Sequence, residues 1–451
     1  MGIVGRLKYD YANRYYIEGS CRYDGSDNFA PGHRWGFFPS VAAAWDITEE
    51  PFFKSWNLKD INLLKLRGSY GVIGTEAGVN RFAYLSTYSL NENALVVGGK
   101  LQSGFSEGKL TAPAEISWYT RRTWDFGLDY AFLNNRLKGS IDYFYYITKG
   151  GLMSPASRYT TPLGKDLPQI KSDSESRREG VEMAIRWNDK VGSDFTYDVG
   201  FNMVAYRSMW AKNAGESIST LMNPRKRDTQ QNNYYTVGYI AEGLYQTEEQ
   251  LATHPRRSQA TNLKLGDIMY KDVNNDGIIN DEDKVRIGSS SSPRFTYGID
   301  FSLGYKGLQL SGLLYGTGKR NLEMGTHYKK GEAGYTFDKA QYDYWTENNR
   351  NARFPRIASS GNLNGQNNQQ TSTYWLVDAS FLRLRNLSLS YDLKYSLLKK
   401  AKWMSTCRVN LTGANLFTIS DTMDYFDPET ASTAGNYPVM RTYTFGLTIG
   451  F

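Results

Sequence analysis

The sequence is poor in the residues from which most chemical sites are built. Two cysteines, Cys21 and Cys407, are too few and too far apart for a disulfide framework or a zinc site, and read as small apolar strand residues. Three histidines, His33, His254 and His327, stand in separate expected loops without metal-ligand spacing and read as surface residues. No run of about 18 apolar residues occurs, which excludes a helical membrane span and says nothing against strands that cross one. A G-x-S-x-G elbow, a P-loop and a dinucleotide fingerprint are also missing, so no enzyme is expected. The formal charge of +7 is scattered, and the cluster Arg225-Lys226-Arg227 reads as solvated loop. Without a recognition helix or stacking motif beside it, no nucleic-acid partner is expected. No signal peptide precedes the first alternating residues after Met1, so the chain reads as a fragment or a gene with a misplaced start.

What the sequence does hold is aromatic residues and glycine: 34 Tyr, 21 Phe, 10 Trp and 43 Gly in 451 residues, with a mean hydropathy of -0.55. Strands that alternate a lipid-facing apolar residue with a polar one average out in this way. The alternation is explicit. Phe295, Tyr297, Ile299, Phe301, Leu303 and Tyr305 take one parity, and Thr296, Gly298, Asp300, Ser302 and Gly304 the other. Trp124 to Phe132 and Leu137 to Ile147 repeat it around Asn134-Asn135-Arg136, as a hairpin, and the parity is expected to turn Phe301, Phe126 and Leu447 to lipid and Asp300, Asp129 and Thr448 to the lumen. Further strands are expected at 3–11, 15–23, 35–45, 64–72, 181–187, 195–203, 308–314, 382–393, 407–417 and 443–451. That makes about thirteen, most near the roughly 9 to 11 residues that cross a bilayer when tilted. Leu382 and Leu384 lie on one parity but Leu387, Leu389 and Tyr391 on the other, which places a bulge near Asn386.

Short and long connections alternate. Short links fall at 12–14, 134–135, 189–190, 306–307 and 396–401, with an intermediate one at 49–62. Long insertions fall at 75–117, 150–176, 209–292, 321–373 and 421–436. Outer-membrane barrels have short periplasmic turns and long extracellular loops. A soluble sandwich or propeller is the competing architecture, and no blade-length repeat supports it.

Two motifs stand out. The final strand sets Tyr443, Phe445, Leu447, Ile449 and Phe451 on one face; in a soluble protein they would leave an aggregation-prone edge. A terminal Phe in this phase resembles the signal read by the outer-membrane assembly machinery. The second motif is Asp272-Val-Asn274-Asn-Asp276-Gly277-Ile278-Ile-Asn280-Asp-Glu-Asp283. Oxygen ligands at positions 1, 3, 5 and 12, with Gly at 6, have the spacing of a calcium loop, with Ile278 offering its carbonyl and Asn280 a water-mediated contact. Asp283 replaces the usual Glu, and a turn cluster that needs no ion is the plain alternative. Aromatics in the long loops could stack on sugars, but reading them as membrane girdles or packing is preferred.

Several segments, in order, resemble the SusC/RagA-type TonB-dependent transporters. These are Arg22-Tyr23-Asp24-Gly25-Ser26, Arg34-Trp35-Gly36-Phe37-Phe38-Pro39-Ser40, Leu66 to Gly71, Trp345-Thr346-Glu347-Asn348, Phe381 to Asn386, Asn415-Leu416-Phe417 and Arg441-Thr442-Tyr443. The resemblance covers the whole chain. It implies an all-β, transmembrane antiparallel β-barrel, of which this chain is the C-terminal portion of a barrel of roughly 22 strands, with no plug domain. It further implies uptake of an oligosaccharide or peptide with a SusD-like surface lipoprotein, and energy from the TonB complex through a missing N-terminal plug. Two other readings stay open: a receptor or adhesin barrel without transport, and a soluble calcium-stabilised carbohydrate-binding β-protein.

Overall fold

The computed structural model describes the chain apart from residues 83, 86–87, 108–114, 154–168, 234, 326–328, 330–341, 358–365, 402, 423–426 and 430–438. His327 and parts of the long insertions lie outside the described residues. The chain divides into two compact units, Met1–Met183 with Tyr206–Asn233, and Ala184–Ala205 with Tyr234–Phe451.

In the first unit β1 (Gly2–Tyr11), β2 (Tyr15–Gly25), β3 (Trp35–Asp46), β4 (Ile61–Thr75), β5 (Tyr119–Phe132) and β6 (Leu137–Lys149) form an antiparallel meander, each paired with the next. Two long strands, β7 (Glu175–Val191) and β8 (Phe195–Lys212), give residues to both units. In the second unit β8 pairs with β9 (Phe295–Tyr305), followed in order by β10 (Leu308–Gly318), β11 (Phe381–Asp392), β12 (Thr406–Ala414) and β13 (Thr442–Gly450). Every expected strand is present.

Register turns the alternation into two faces. Trp45 stands beside Leu66, Leu66 beside Leu128 and Leu128 beside Ile141. In the second unit Leu303, Leu310, Leu389, Leu411 and Phe445 form the same kind of row. This face is exposed, Phe445 by 71 %. Moving a Leu or Phe side chain out of water is worth about 1.5–3 kcal/mol, so rows of this length need a non-aqueous neighbour, and hydrocarbon supplies it. The fold is that of a transmembrane antiparallel barrel.

Three details refine the sequence reading. The bulge falls at Arg385: Leu313 pairs with Asn386 and Leu314 with Leu384, which restores the outward parity. The strand expected at 407–417 breaks at Asn415, whose φ is +53, and resumes as a short piece, Thr418–Ser420, beside Phe381 to Arg383. Its break answers the Arg385 bulge, because Asn415 donates its N–H to the Arg385 carbonyl. Finally, the link expected at Asp189-Lys190 is strand, and the turn lies at 192–194, where Gly192 takes φ +63.

The hydrophobic core lies away from the sheet. Tyr239, Ile268, Tyr270 and Ile279 from one insertion pack with Leu322, Trp345, Phe354, Trp375 and Val377 from the next. The core residues 239–279 and 322–377, from segments read separately as 209–292 and 321–373, thus meet within the second unit.

An arginine at Phe126, on the exposed face of β5, should cost about 2–4 kcal/mol near the bilayer midplane. Urea unfolding of the intact protein in lipid vesicles measures it, and an unchanged midpoint would contradict the face assignment.

Candidate functional site

The inward parity of the strands carries charge in a repeated arrangement. In the first unit Arg67 of β4 grips Asp129 of β5 with two bonds of 2.8 Å and reaches Asp142 of β6 at 2.8 Å. In the second unit Arg186 of β7 binds Asp198 of β8 and Asp300 of β9, the latter at 2.6 Å. Both guanidinium groups lie close over a glycine. A Cβ on Gly127 would stand 2.3 Å from Asp142 Oδ1 and 2.8 Å from Arg67 Cζ; on Gly200 it would stand 2.5 Å from Asp300 Oδ1 and 2.9 Å from Arg186 Nη2. A missing side chain therefore makes room for each ion cluster. Arginine suits the position because its planar fork can serve two carboxylates at once.

Beside the second cluster is an open recess of about 560 Å³ lined by Arg186, Asp198, Asp300, Gln309, Ser311 and Asn386. Its walls offer donors and acceptors to a hydrogen-bonding solute, and Phe301 and Leu313 add apolar surface beside them. A third cluster has a different task. Arg383, almost fully buried in β11, binds Asp427 at 2.7 Å and also Glu429, which Arg385 meets as well. These bonds tie Asp427 and Glu429, which precede β13, to β11.

The insertion core holds buried polar groups that are paired. Asp267 accepts from Asn368 Nδ2 at 2.9 Å and from Arg356 Nη2 at 3.0 Å, and Asn367 donates to the Ile268 carbonyl at 2.8 Å. Burial pushes the Tyr239 hydroxyl up to about 12 and raises Tyr270 and Tyr374 as well, so all three stay neutral.

The calcium-like motif is gathered into one loop. Asp272 accepts from the N–H groups of Asn275 and Gly277, both at 2.7 Å, and Asp276 accepts from Ile278 N–H at 2.9 Å. Asn274 donates to Asp276 at 2.9 Å, and Asn280 accepts from Glu282 N–H. Asp283 is fully buried and turns both oxygens to backbone, accepting from Val273 and Asn280 N–H at 2.8 Å each. Among the described residues no group of three or more His, Cys, Asp or Glu stands in an arrangement that would hold a metal ion. His254 pairs with Glu242 at 3.0 Å in an insertion, and both cysteines lie in strands. Tyr443, Phe445, Leu447 and Ile449 are exposed on the outward face in register with β12, and Phe451, one residue past β13, is exposed as well.

The sequence reading placed Asp129 and Asp300 on the inward face but missed their arginines. The available signal was an Arg on the polar parity of one strand with Asp and Gly on the same parity of its neighbours. Arg67→Ala should lower stability by about 1–3 kcal/mol at neutral pH, because Asp129 and Asp142 then face each other without a counter-charge. The urea midpoint of the intact protein in lipid vesicles measures this, and a midpoint that does not fall would contradict it.

No family model matches the chain. Among curated proteins it is 30 % identical over 467 residues to the TonB-dependent receptor SusC of Bacteroides thetaiotaomicron, covering 99 % of this chain and 43 % of that protein. It is 28 % identical over 480 residues to the TonB-dependent receptor P3 of Formosa agariphila, covering 100 % and 45 %. Among solved structures it superposes on the RagAB peptide transporter with a TM-score of 0.75 at 22 % identity, over 100 % of this chain and 47 % of that one. For the RagAB peptide importer in its open-open state the values are 0.77 and 21 %, over 100 % and 46 %. The structural matches speak for the fold, and the chain spans a little under half the length of the relatives it matches. With its exposed apolar face and charged inward face, the chain is of the SusC/RagA type of TonB-dependent outer-membrane receptor, and its fold is that of their barrel.

Proposed function

We propose that the protein to which this chain belongs takes up nutrients, an oligosaccharide or a peptide, across the outer membrane with energy delivered through TonB, working with a SusD-like surface lipoprotein. The observation that carries this reading is similarity to SusC over 99 % of this chain, joined to an inward face that carries charge. An adsorbing protein would gain from apolar subsites; a conduit for hydrated solutes gains from weak, replaceable hydrogen bonds. The RagAB structures are described as a peptide transporter, which supports a peptide as one of the two cargo classes. The outward row ending at Phe451 serves, in this reading, as the strand that the assembly machinery recognises.

Disrupting the intact gene in its host should abolish growth on one oligosaccharide or peptide source while growth on its monomers continues. A protonophore should stop entry of the labelled oligomer in the undisturbed strain. Uptake that survives gene disruption would refute the proposal, and entry that ignores the protonophore would favour a receptor without active transport.

The calcium loop is a second element of the proposal. Its support is that Asp272, Asn274, Asp276 and Asp283 line one loop, and that an oxygen accepting an amide keeps a second lone pair for a cation. Asp272, Asn274, Asp276, the Ile278 carbonyl and Asp283 would hold the ion, with Asn280 acting through water. Bound calcium would brace the core through Ile279. Saturating calcium should therefore slow proteolysis within the 209–292 insertion of the intact protein, and equal cleavage in calcium and in chelator would dismiss the site.

A further inference from the structure

The outward apolar face does not stop at the strand ends. Phe451 continues the outward parity of β13, and the Trp403 ring lies against it with centroids 5.9 Å apart. The turn from β11 to β12 therefore reaches onto the lipid side of the sheet. It is a fixed structure. Asp392 caps the short 3-10 turn Leu393–Tyr395 by accepting from Lys394 N–H, and Lys394 Nζ donates to the carbonyls of Ala401 at 2.9 Å and Met404 at 2.8 Å. Tyr391 donates its hydroxyl to Ser396 Oγ at 2.6 Å. On this frame Leu397 and Trp403 are 79 % and 66 % exposed, and Lys399 and Lys400 are exposed between them. From Asp392 to Trp403 the sequence holds Lys394, Lys399, Lys400 and Lys402 against one acid.

We propose that this turn is a membrane-interface anchor selective for anionic phospholipid headgroups. Leu397 and Trp403 sink to the boundary between headgroups and acyl chains, and Lys399 and Lys400 meet the phosphates above it. Continuity with the lipid-facing rows of β12 and β13 identifies the occupant as lipid, and the excess of lysine selects its charge. The inference rests on the lipid-facing assignment of the sheet and is independent of what the receptor transports.

The turn from β3 to β4 supplies an internal contrast. Its Glu50, nearly buried, accepts from the Tyr15 hydroxyl, from Trp45 Nε1 at 3.0 Å and from Arg14 Nη1 at 3.2 Å. Tyr15 and Trp45 both lie on the outward parity, so this turn is also drawn onto the lipid side, leaving Phe52, Trp56 and Leu58 exposed. Its charge is opposite: Asp46, Glu49, Glu50 and Asp60 outnumber Lys54 and Lys59. Apolar insertion is common to the two turns; preference for anionic lipid belongs to the one after β11.

The test uses the full-length receptor in mixed vesicles, with Cys21 and Cys407 replaced and a bimane probe on a single new cysteine, from Leu397→Cys, Leu58→Cys or Phe126→Cys. Brominated phosphatidylglycerol and brominated phosphatidylcholine are the quenchers. Both should quench all three positions. At 397 phosphatidylglycerol should bind more strongly, by about fivefold for each lysine engaged, and Lys399→Gln with Lys400→Gln should remove the preference; at 58 the two lipids should quench equally. No quenching at 397 alone would overturn the anchor. Equal quenching by both lipids at 397, or a preference that survives the double substitution, would overturn the headgroup selectivity. No quenching at 126 would instead refute the lipid-facing assignment.

Discussion

Everything in this chain depends on the backbone ladder. In hydrocarbon an unpaired N–H or C=O costs several kcal/mol, so each strand must find its partners in its neighbours, residue by residue. Once pairing is that strictly fixed, so is parity. A one-residue slip between β9 and β10 would bring Phe301 beside Ser311 or Leu313 and turn a whole apolar row inward. The Arg385 bulge and the Asn415 break belong to the same constraint: one irregular residue is admitted in β11 and answered in the chain beside it, so that outward parity is kept on both sides.

The ladder leaves side chains without a core to build, and the two faces solve different problems. Outward residues need only be apolar and fit beside one another. Inward residues need charge, but unpaired charge beside a wall of low dielectric is costly. Setting Arg67 over Gly127 and Arg186 over Gly200 answers this within the sheet, because each arginine neutralises carboxylates from neighbouring strands. The polar wall is then held by the same strands that form the outer face. A solute touching that wall would meet groups that already have partners, so each contact would be weak.

Alternation made nearly the whole ladder legible, because period two needs no knowledge of distant residues. Even the Arg385 bulge showed as a change of phase between Leu384 and Leu387. What stayed hidden depends on partners far apart in the chain. Asp129 and Asp300 could be placed on the inward face, but Arg67 lies 62 residues from Asp129 and Arg186 lies 114 from Asp300, and only register brings them together. The Asp189-Lys190 link was misread because two polar residues suggest a turn, whereas β7 runs on as strand and Gly192 supplies the turn instead. Glu50 gave no local sign of its role, since its partners Tyr15 and Trp45 are read as strand residues until the fold closes around them.

The insertions obey other rules, and that difference bears on how a binding surface could be built here. Strands whose apolar side faces lipid cannot supply a buried core, so the core is made from Tyr239, Ile268, Tyr270, Trp345 and Trp375 between insertions. Apolar packing alone tolerates rearrangement. The buried groups Asp267, Asn367, Asn368 and Arg356 do not, because each loses a desolvated hydrogen bond if its neighbour shifts. The Arg383 bonds act in the same way on Asp427 and Glu429. A surface resting on such a network would be ordered before any solute reached it, and affinity would not be spent on ordering loops. Length alone would suggest loops without a core, but buried polar pairs and a shared aromatic core make a packed body of the described residues around Tyr239, Tyr270, Trp345 and Trp375.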